Sequence, residues 1–311
     1  MPAKCAIGFD VGGTKCASGV VVLPEGRVVA RRLHATEPQR GGDAVLADVI
    51  LGARALADEA RQLGFEPEAV GIGVAELVSP QGDVLSAATI PWQGVPVRER
   101  ISAGTGLPAD VEADVRAAAR AEAVLGAGRH FASFLFVTIG TGISASLVLD
   151  KTPYAGARGL TGTFASSRGL TPADGGGLVA GPPLEEFASG PALAARFSAA
   201  RRDRVYTGPE VVTLCEAGDE LARSVVGSAG EALGAAVAHL VNVLDPEAVV
   251  LGGGLGMVGG VYRDSLERAL RTHVWSAHHR DVPLVSAEMG VESGFIGAAI
   301  AACDRLSRAR K

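Results

Sequence analysis

An α/β fold of two related lobes, each opening with a β-hairpin onto a central cleft, is predicted by three features of the 311-residue sequence. Short apolar runs of strand length alternate with longer stretches of helical periodicity. A strand–glycine turn–strand pattern occurs twice, in "GFDVGGTKCASGV" (8–20) and "FLFVTIGTGISASLVLD" (134–150). With an offset of 128 residues, Gly12 falls on Gly140 and Ala17-Ser18 on Ala145-Ser146. This reading puts one lobe at 1–114 together with a C-terminal helix at 296–311, and the other at 115–295.

In chain order, Ala6–Asp10 and Ala17–Leu23 read as strands paired through the GGTK turn. Residues 43–63 carry helical periodicity with Asp43 as N-cap. "AVGIGVAELV" (69–78) and "LPADVEAD" (107–114) read as strands, and an alanine-rich helix starts at 115. Residues 152–181, rich in Gly, Ser, Thr and Pro, read as a long loop. Residues 184–240 read as mostly helical, 247–251 as a strand running into "GGGLG", and the terminal helix ends in basic residues that suit its dipole.

Composition narrows the function. A hydrophobic content of 48% with 20% charged residues marks a globular chain. A net charge of −5 supplies no basic field for nucleic acid or an anionic membrane. The 4 cysteines include no CxxC pair, which argues against a disulfide framework and a cysteine zinc site. The N-terminus enters strand sequence at once, without a signal peptide, and no run of 18 apolar residues is unbroken, so a cytoplasmic protein is expected.

Glycine turns between strands let backbone amides approach an anion without Cβ interference, and phosphate is the usual guest. Such turns occur at Gly12-Gly13-Thr14, Gly140-Thr141-Gly142 and Gly252-Gly253-Gly254. No GxxxxGK[ST] loop is present. Gly254, Gly256 and Gly259 match GxGxxG, but the acidic residue expected to end a following strand is missing, so a nicotinamide enzyme is a poor second reading. Asp114 follows a short strand and precedes a helix, where α/β proteins present catalytic groups; an N-cap is the structural alternative. A phosphoryl acceptor needs a carboxylate to take its proton, which favours the base. His278 and His279 read as a surface loop and His239 as a packed or interface histidine. Trp92 reads as core, and Arg116 as a substrate contact or helix-surface residue.

The stretches "IGFDVGGTK", "IGVAELVSPQGDVL", "PWQGVPVRERI", "GLPADVEADVRAAARAEAVLGAGR", "FLFVTIGTGI", "GARGLTG", "LEEFASGPAL", "LVNVLDPEAVVLGGGLG" and "SGFIGAAIAA" together resemble the ROK family of sugar kinases, in order and over nearly the whole chain. The resemblance implies a two-lobed actin-like ATPase (ribonuclease H-like) fold and transfer of the ATP γ-phosphoryl to a primary hydroxyl. It implies Asp114 as catalytic base, and Asp10 near Mg²⁺, reached through water. ATP contacts fall on Gly12, Gly13, Thr14, Lys15, Gly140, Thr141, Gly142, Gly253 and Gly254. Family members commonly dimerise, so a homodimer is expected.

The departures bear on substrate. The family's Asn before the base is Ala113 here. Its ExGH motif falls on "TFAS", making the sugar-gripping Glu Thr163 and the zinc- and sugar-binding His Ser166. The zinc cysteines are absent, so no zinc is expected. Glu185 stands where the family has a later sugar-contacting Glu, and Glu76 where it has glycine. Glu76, Thr89, Ala113, Asp114, Thr163, Ser166 and Glu185 are the expected substrate contacts, with Glu76 either meeting a cationic group or being a solvated loop acid. Losing hydroxyl-reading groups argues against glucose, because unpaired buried polar groups cost about 1–3 kcal/mol each. An amino sugar such as 3-amino-3-deoxyglucose (kanosamine) is favoured, and family members act on it, and on C7-cyclitols, in antibiotic biosynthesis. The alternatives are a C7-cyclitol 7-kinase, an ordinary glucokinase, and a non-catalytic pseudokinase or sugar sensor.

Overall fold

A computed structural model describes residues 3–172 and 174–309. Strand β1 (Ala3–Val11) turns at Gly12, whose amide donates to the Lys15 carbonyl at 3.0 Å, and pairs antiparallel with β2 (Lys15–Val22). Strand β3 (Arg27–Ala35) extends the hairpin, while β4 (Phe65–Val74) and β5 (Ala109–Ala113) run parallel to β1 on its other side. The sheet order is β3-β2-β1-β4-β5.

The apolar run in β1 follows from cover on both faces. Cys5, Ile7, Phe9 and Val11 join the core that includes Val45, Leu46 and Val49 of α1 (Gly42–Gln62). The alternate residue Ala6 packs with Phe295, Ile296 and Ala299 of α9 (Ser293–Ala309). α9 lies unusually close to its neighbours. A Cβ at Gly8 of β1 would overlap the Phe295 carbonyl, and one at Gly297 would overlap the Ala117 carbonyl of α3 (Asp114–Val124). In an exposed helix, Gly→Ala gains up to about 1 kcal/mol. At Gly297 the clash reverses that sign, and Gly297→Ala is expected to cost roughly 1–3 kcal/mol. The check is a urea midpoint that falls with an unchanged m-value; an unchanged midpoint would mean α3 and α9 are not in this contact.

The first compact unit comprises Met1–His130, Val148–Thr161 and Glu288–Lys311; Arg310 and Lys311 of the expected terminal helix, like Ala173 of the expected loop, lie outside the described residues. The change of unit therefore falls after α3 and not at residue 114, because α3 packs on α9 and is held there by Glu122. That fully buried carboxylate accepts the amides of Ala127 (2.9 Å), Glu288 (3.1 Å) and Met289 (2.8 Å). Three smaller differences appear. Gly41, not Asp43, is the N-cap of α1, while Asp43 pairs with Arg100. The third strand ends at Val74, four residues early. α2 (Val97–Thr105) and β3 carry no expectation at all.

The second unit comprises Phe131–Leu147 and Gly162–Ala287. β6 (Ser133–Ile139) and β7 (Ile143–Leu149) form the second hairpin, and the other five-stranded sheet, which also holds β8 (Thr152–Pro153), β11 (Val249–Gly252) and β12 (Leu284–Ser286), has the order β12-β11-β6-β7-β8. Read from the other edge, this is the strand order of the first sheet, again with a parallel β6–β11–β12 side. The expected loop at 152–181 instead contains β8, a short 3₁₀ turn at Phe164–Ser166 and the hairpin of β9 (Arg168–Pro172) with β10 (Leu178–Pro183). Helices α4 (Glu185–Ala188), α5 (Gly190–Arg201) and α6 (Gly208–Glu216) lead to α7 (Glu220–Leu244) and α8 (Val261–His273). By length and composition α7 is apolar enough to cross a membrane, yet 50% of that window is buried, with Leu233 and Val237 in the same core cluster as Val137 and Ile139.

Candidate active site

Two carboxylates of the first unit stand at the carboxyl ends of parallel strands, where α/β sheets present ligands. Asp10 is opposite Gly73 in the β1–β4 register, and Asp114 follows β5 as the first residue of α3. Gly73 spaces them: a Cβ there would lie 3.4 Å from the Phe9 carbonyl oxygen and 3.8 Å from Asp114 Cα. Ala113, not Asp114, is the N-cap residue, and Asp114 Oδ1 accepts the Val115 amide at 2.6 Å. Asp10 sits against the first turn of α9, where a Cβ at Gly294 would overlap its carboxylate.

Both acids hold their protons more tightly than usual. Burial, and then the nearby charge of Asp114, pushes Asp10 up to about 7. Asp114 is pushed up to about 6 by burial, which outweighs the Val115 hydrogen bond and the Arg116 charge; the Glu76 charge pushes the same way as burial. Next to Asp10, Thr14 and Lys15 are exposed, and Gly13 is tight against the loop before α2: a Cβ there would come within 2.6 Å of Thr89 Cγ2.

Glu76 is neither the solvated acid nor a carboxylate left open for a cation. It is 6% exposed and accepts from the Ser86 hydroxyl and from the amides of Ala88 (3.0 Å), Thr89 and Ile90 (2.7 Å). Val74 and Val78, both buried, flank it and were the local signal of burial; nothing local announced the partner ten residues on. Arg116 is likewise neither at the helix surface nor open to substrate. It is buried, pairs with Glu112 at 2.5 Å, and donates to the carbonyls of Val78 (2.7 Å) and Gly159 (3.1 Å). Trp92 is core, its Nε1 donating to the Gly42 carbonyl at 2.8 Å.

In the second unit, two expected phosphate turns come together. The Gly140 amide donates to the Gly142 carbonyl at 2.9 Å, and a Cβ at Gly140 would lie 3.9 Å from the Gly254 nitrogen. Gly253 has φ +79 and lies so tightly on Ile139 that a Cβ would come within 2.5 Å of its carbonyl oxygen, so glycine is required there. Thr141 is exposed. Glu185, at the start of α4, accepts the Ile143 amide at 2.8 Å and is thereby fixed to the 140–142 turn. Thr163 and Ser166 bound the 3₁₀ turn and are exposed, Ser166 donating its amide to the Thr163 carbonyl at 3.1 Å. His279 is engaged with Asp245 (3.1 Å) and the Pro246 carbonyl (3.1 Å), and exposed His239 lines a cavity with Phe164, Arg168 and Phe187.

Residues 6–305 match the sequence pattern of the ROK family. The chain belongs to the ROK family. Its fold is accordingly the actin-like ATPase fold, and the repeated strand order above is that fold's duplication. Among ROK relatives, the chain is 30% identical to the glucokinase of Streptomyces coelicolor over 94% of its own length and 96% of the relative's. The crystal structure of a ROK glucokinase from Streptomyces griseus in complex with glucose and AMPPNP superposes with a TM-score of 0.82 at 29% identity, covering 96% of this chain and 99% of that one. The ROK hexokinase of Thermus thermophilus superposes with a TM-score of 0.80 at 31% identity, covering 98% and 99%.

Proposed function

We propose that this chain is an ATP-dependent sugar kinase that transfers the γ-phosphoryl group to a primary hydroxyl of a hexose-like acceptor. The observation that carries the reading is the pair Asp10 and Asp114 at the carboxyl ends of β1 and β5, the parallel strands on either side of β4, with Asp10 beside the Gly12–Lys15 turn. Asp114 is the base. A proton affinity near 6 leaves it ionised at neutral pH and still able to take the hydroxyl proton as the acceptor attacks. The amides of the 12–15, 140–142 and 253–254 turns donate to phosphate oxygens, without side chains in the way. Asp10 fits a magnesium ion. Magnesium takes one or two carboxylates and completes its shell with water and phosphate oxygens, and among the described residues no cluster of three or more His, Cys, Asp or Glu side chains competes for it. When bound, the ion supplies charge that offsets the phosphates.

The acceptor is a modified hexose, with an amino sugar or C7-cyclitol preferred to glucose. Ala113, Thr163 and Ser166 replace groups that would read glucose hydroxyls, which supports this reading. Glu76 no longer supports the cationic form of the argument, since its oxygens already accept from the chain. Glucose is the second reading, favoured by the likeness to glucokinases. A coupled ADP assay with glucose, glucosamine, 3-amino-3-deoxyglucose, N-acetylmannosamine and a C7-cyclitol tests both. Turnover of one modified acceptor is expected at a kcat/KM at least ~10-fold above glucose. A glucose preference would replace this substrate assignment, and ATP-independent silence on every acceptor would favour a non-catalytic sugar-binding role.

A further inference from the structure

We infer that Glu76 is a positioning residue for the transfer reaction: its buried carboxylate fixes residues 86–90 into the shelf that seats Thr89 against the Gly13 turn. The inference rests on the kinase reading above.

Residues 86–90 belong to no helix or strand, so their amides have no ladder to join. Three of those amides, from Ala88, Thr89 and Ile90, converge on Glu76. The fourth donor is the Ser86 hydroxyl, which in turn accepts the Leu77 amide at 2.9 Å, so its proton is committed to Glu76. Both ends of the segment are anchored independently. The bridge between Val78 and Val84 fixes the approach, and buried Trp92, bonded to Gly42, fixes the exit. The middle depends on one side chain. Thr89, whose methyl carbon lies against Gly13, is the point where that order reaches the phosphate turn.

A carboxylate suits this task because it has lone pairs for several donors, and bonds to it are stronger than bonds to a neutral acceptor. A glutamine of the same shape offers one acceptor oxygen and turns an N–H₂ toward backbone N–H groups. The charge carries a cost, since Glu76 is a second acid near Asp114, after Asp10. Around Asp114, burial and the Glu76 charge favour its protonated form, the Val115 amide and Arg116 oppose it, and Asp10 is the neighbouring acid whose own proton affinity the Asp114 charge raises. Removing the Glu76 charge therefore lets Asp114 ionise more readily, and the acid limb of kcat/KM moves to lower pH. A side chain that only stabilised the fold would lower activity without moving the limb in that direction.

The test compares the full chain with its Glu76→Gln and Ser86→Ala variants, using amide hydrogen exchange and steady-state kinetics on the preferred acceptor. In Glu76→Gln, the amides of Ala88, Thr89 and Ile90 are expected to exchange at least ~10-fold faster while those of β4 do not change. kcat is expected to fall at least ~10-fold, the KM for ATP to stay within about 3-fold, and the acid limb to shift downward. Ser86→Ala, which keeps the carboxylate and removes one donor, should lie between. Amides that exchange as in the wild type, or freed amides with kcat and acid limb unchanged, would overturn the inference. A wild type that transfers no phosphate while the amides respond as expected would instead sink the kinase reading.

Discussion

Asp114→Asn is expected to lower kcat by about 10²–10⁴-fold while leaving the KM for ATP near its wild-type value. The substitution keeps shape and the Val115 hydrogen bond, since the amide oxygen still accepts. It removes the one thing assigned to Asp114, a lone pair basic enough to take the hydroxyl proton. The pH profile sharpens the test. Asp114 titrates near 6, so wild-type activity should rise as pH passes upward through about 6, and the residual activity of the variant should lack that limb. An Asn variant with wild-type kcat would remove Asp114 from the reaction.

Asp10→Asn is expected to separate activity from stability. Asp10 holds its proton up to about 7, against 3.8 for the free side chain. Its folded value lies above its unfolded one. The stability associated with protonation is therefore complete below about 3.8 and is lost progressively as pH rises to about 7. At pH 8 the ionised acid is a liability that Asn removes. The variant should be more stable there by about 1–3 kcal/mol, a figure reduced from the full shift because Asp10 keeps some contact with solvent. The advantage should narrow steadily between pH 7 and pH 4.5 in urea titrations. Its kcat should fall, because the carboxylate beside the phosphate turn is gone. Equal stability of variant and wild type at pH 8 would mean that Asp10 is not desolvated in this way.

These two acids were legible in the sequence, as was the duplicated hairpin, because each sits where an apolar strand meets a glycine turn or a helix start. Glycine leaves a conspicuous gap in an apolar run, and a turn that needs it can be read without knowing the partner. Glu76 was misplaced for the opposite reason. Its partners are amides of residues 88–90 and the Ser86 hydroxyl, and backbone donors have no letter in the sequence. Arg116 fared the same way, since the carbonyls of Val78 and Gly159 that hold it are silent in composition. The hairpin of β9 and β10 hid because its Gly- and Pro-rich strands lack the alternation that marks a half-buried pair. The lobe boundary was set too early because the packing of α3 on α9 joins residues nearly two hundred positions apart.

That packing has a consequence for biosynthesis. The first unit is interrupted in the chain, with all of the second unit's segments emerging before Glu288–Ala309. During synthesis, β1 and β4 reach the exit of the ribosome with one face uncovered, and the three hydrogen bonds that Glu122 accepts from backbone amides cannot all form until Glu288 and Met289 follow. The second unit can collect its strands and helices in the meantime, whereas the sheet that carries Asp10 and Asp114 waits for α9. Contacts of such long sequence separation form slowly. The nascent chain therefore exposes an apolar sheet face for the time needed to translate more than a hundred residues, the interval in which chaperone capture or aggregation would compete.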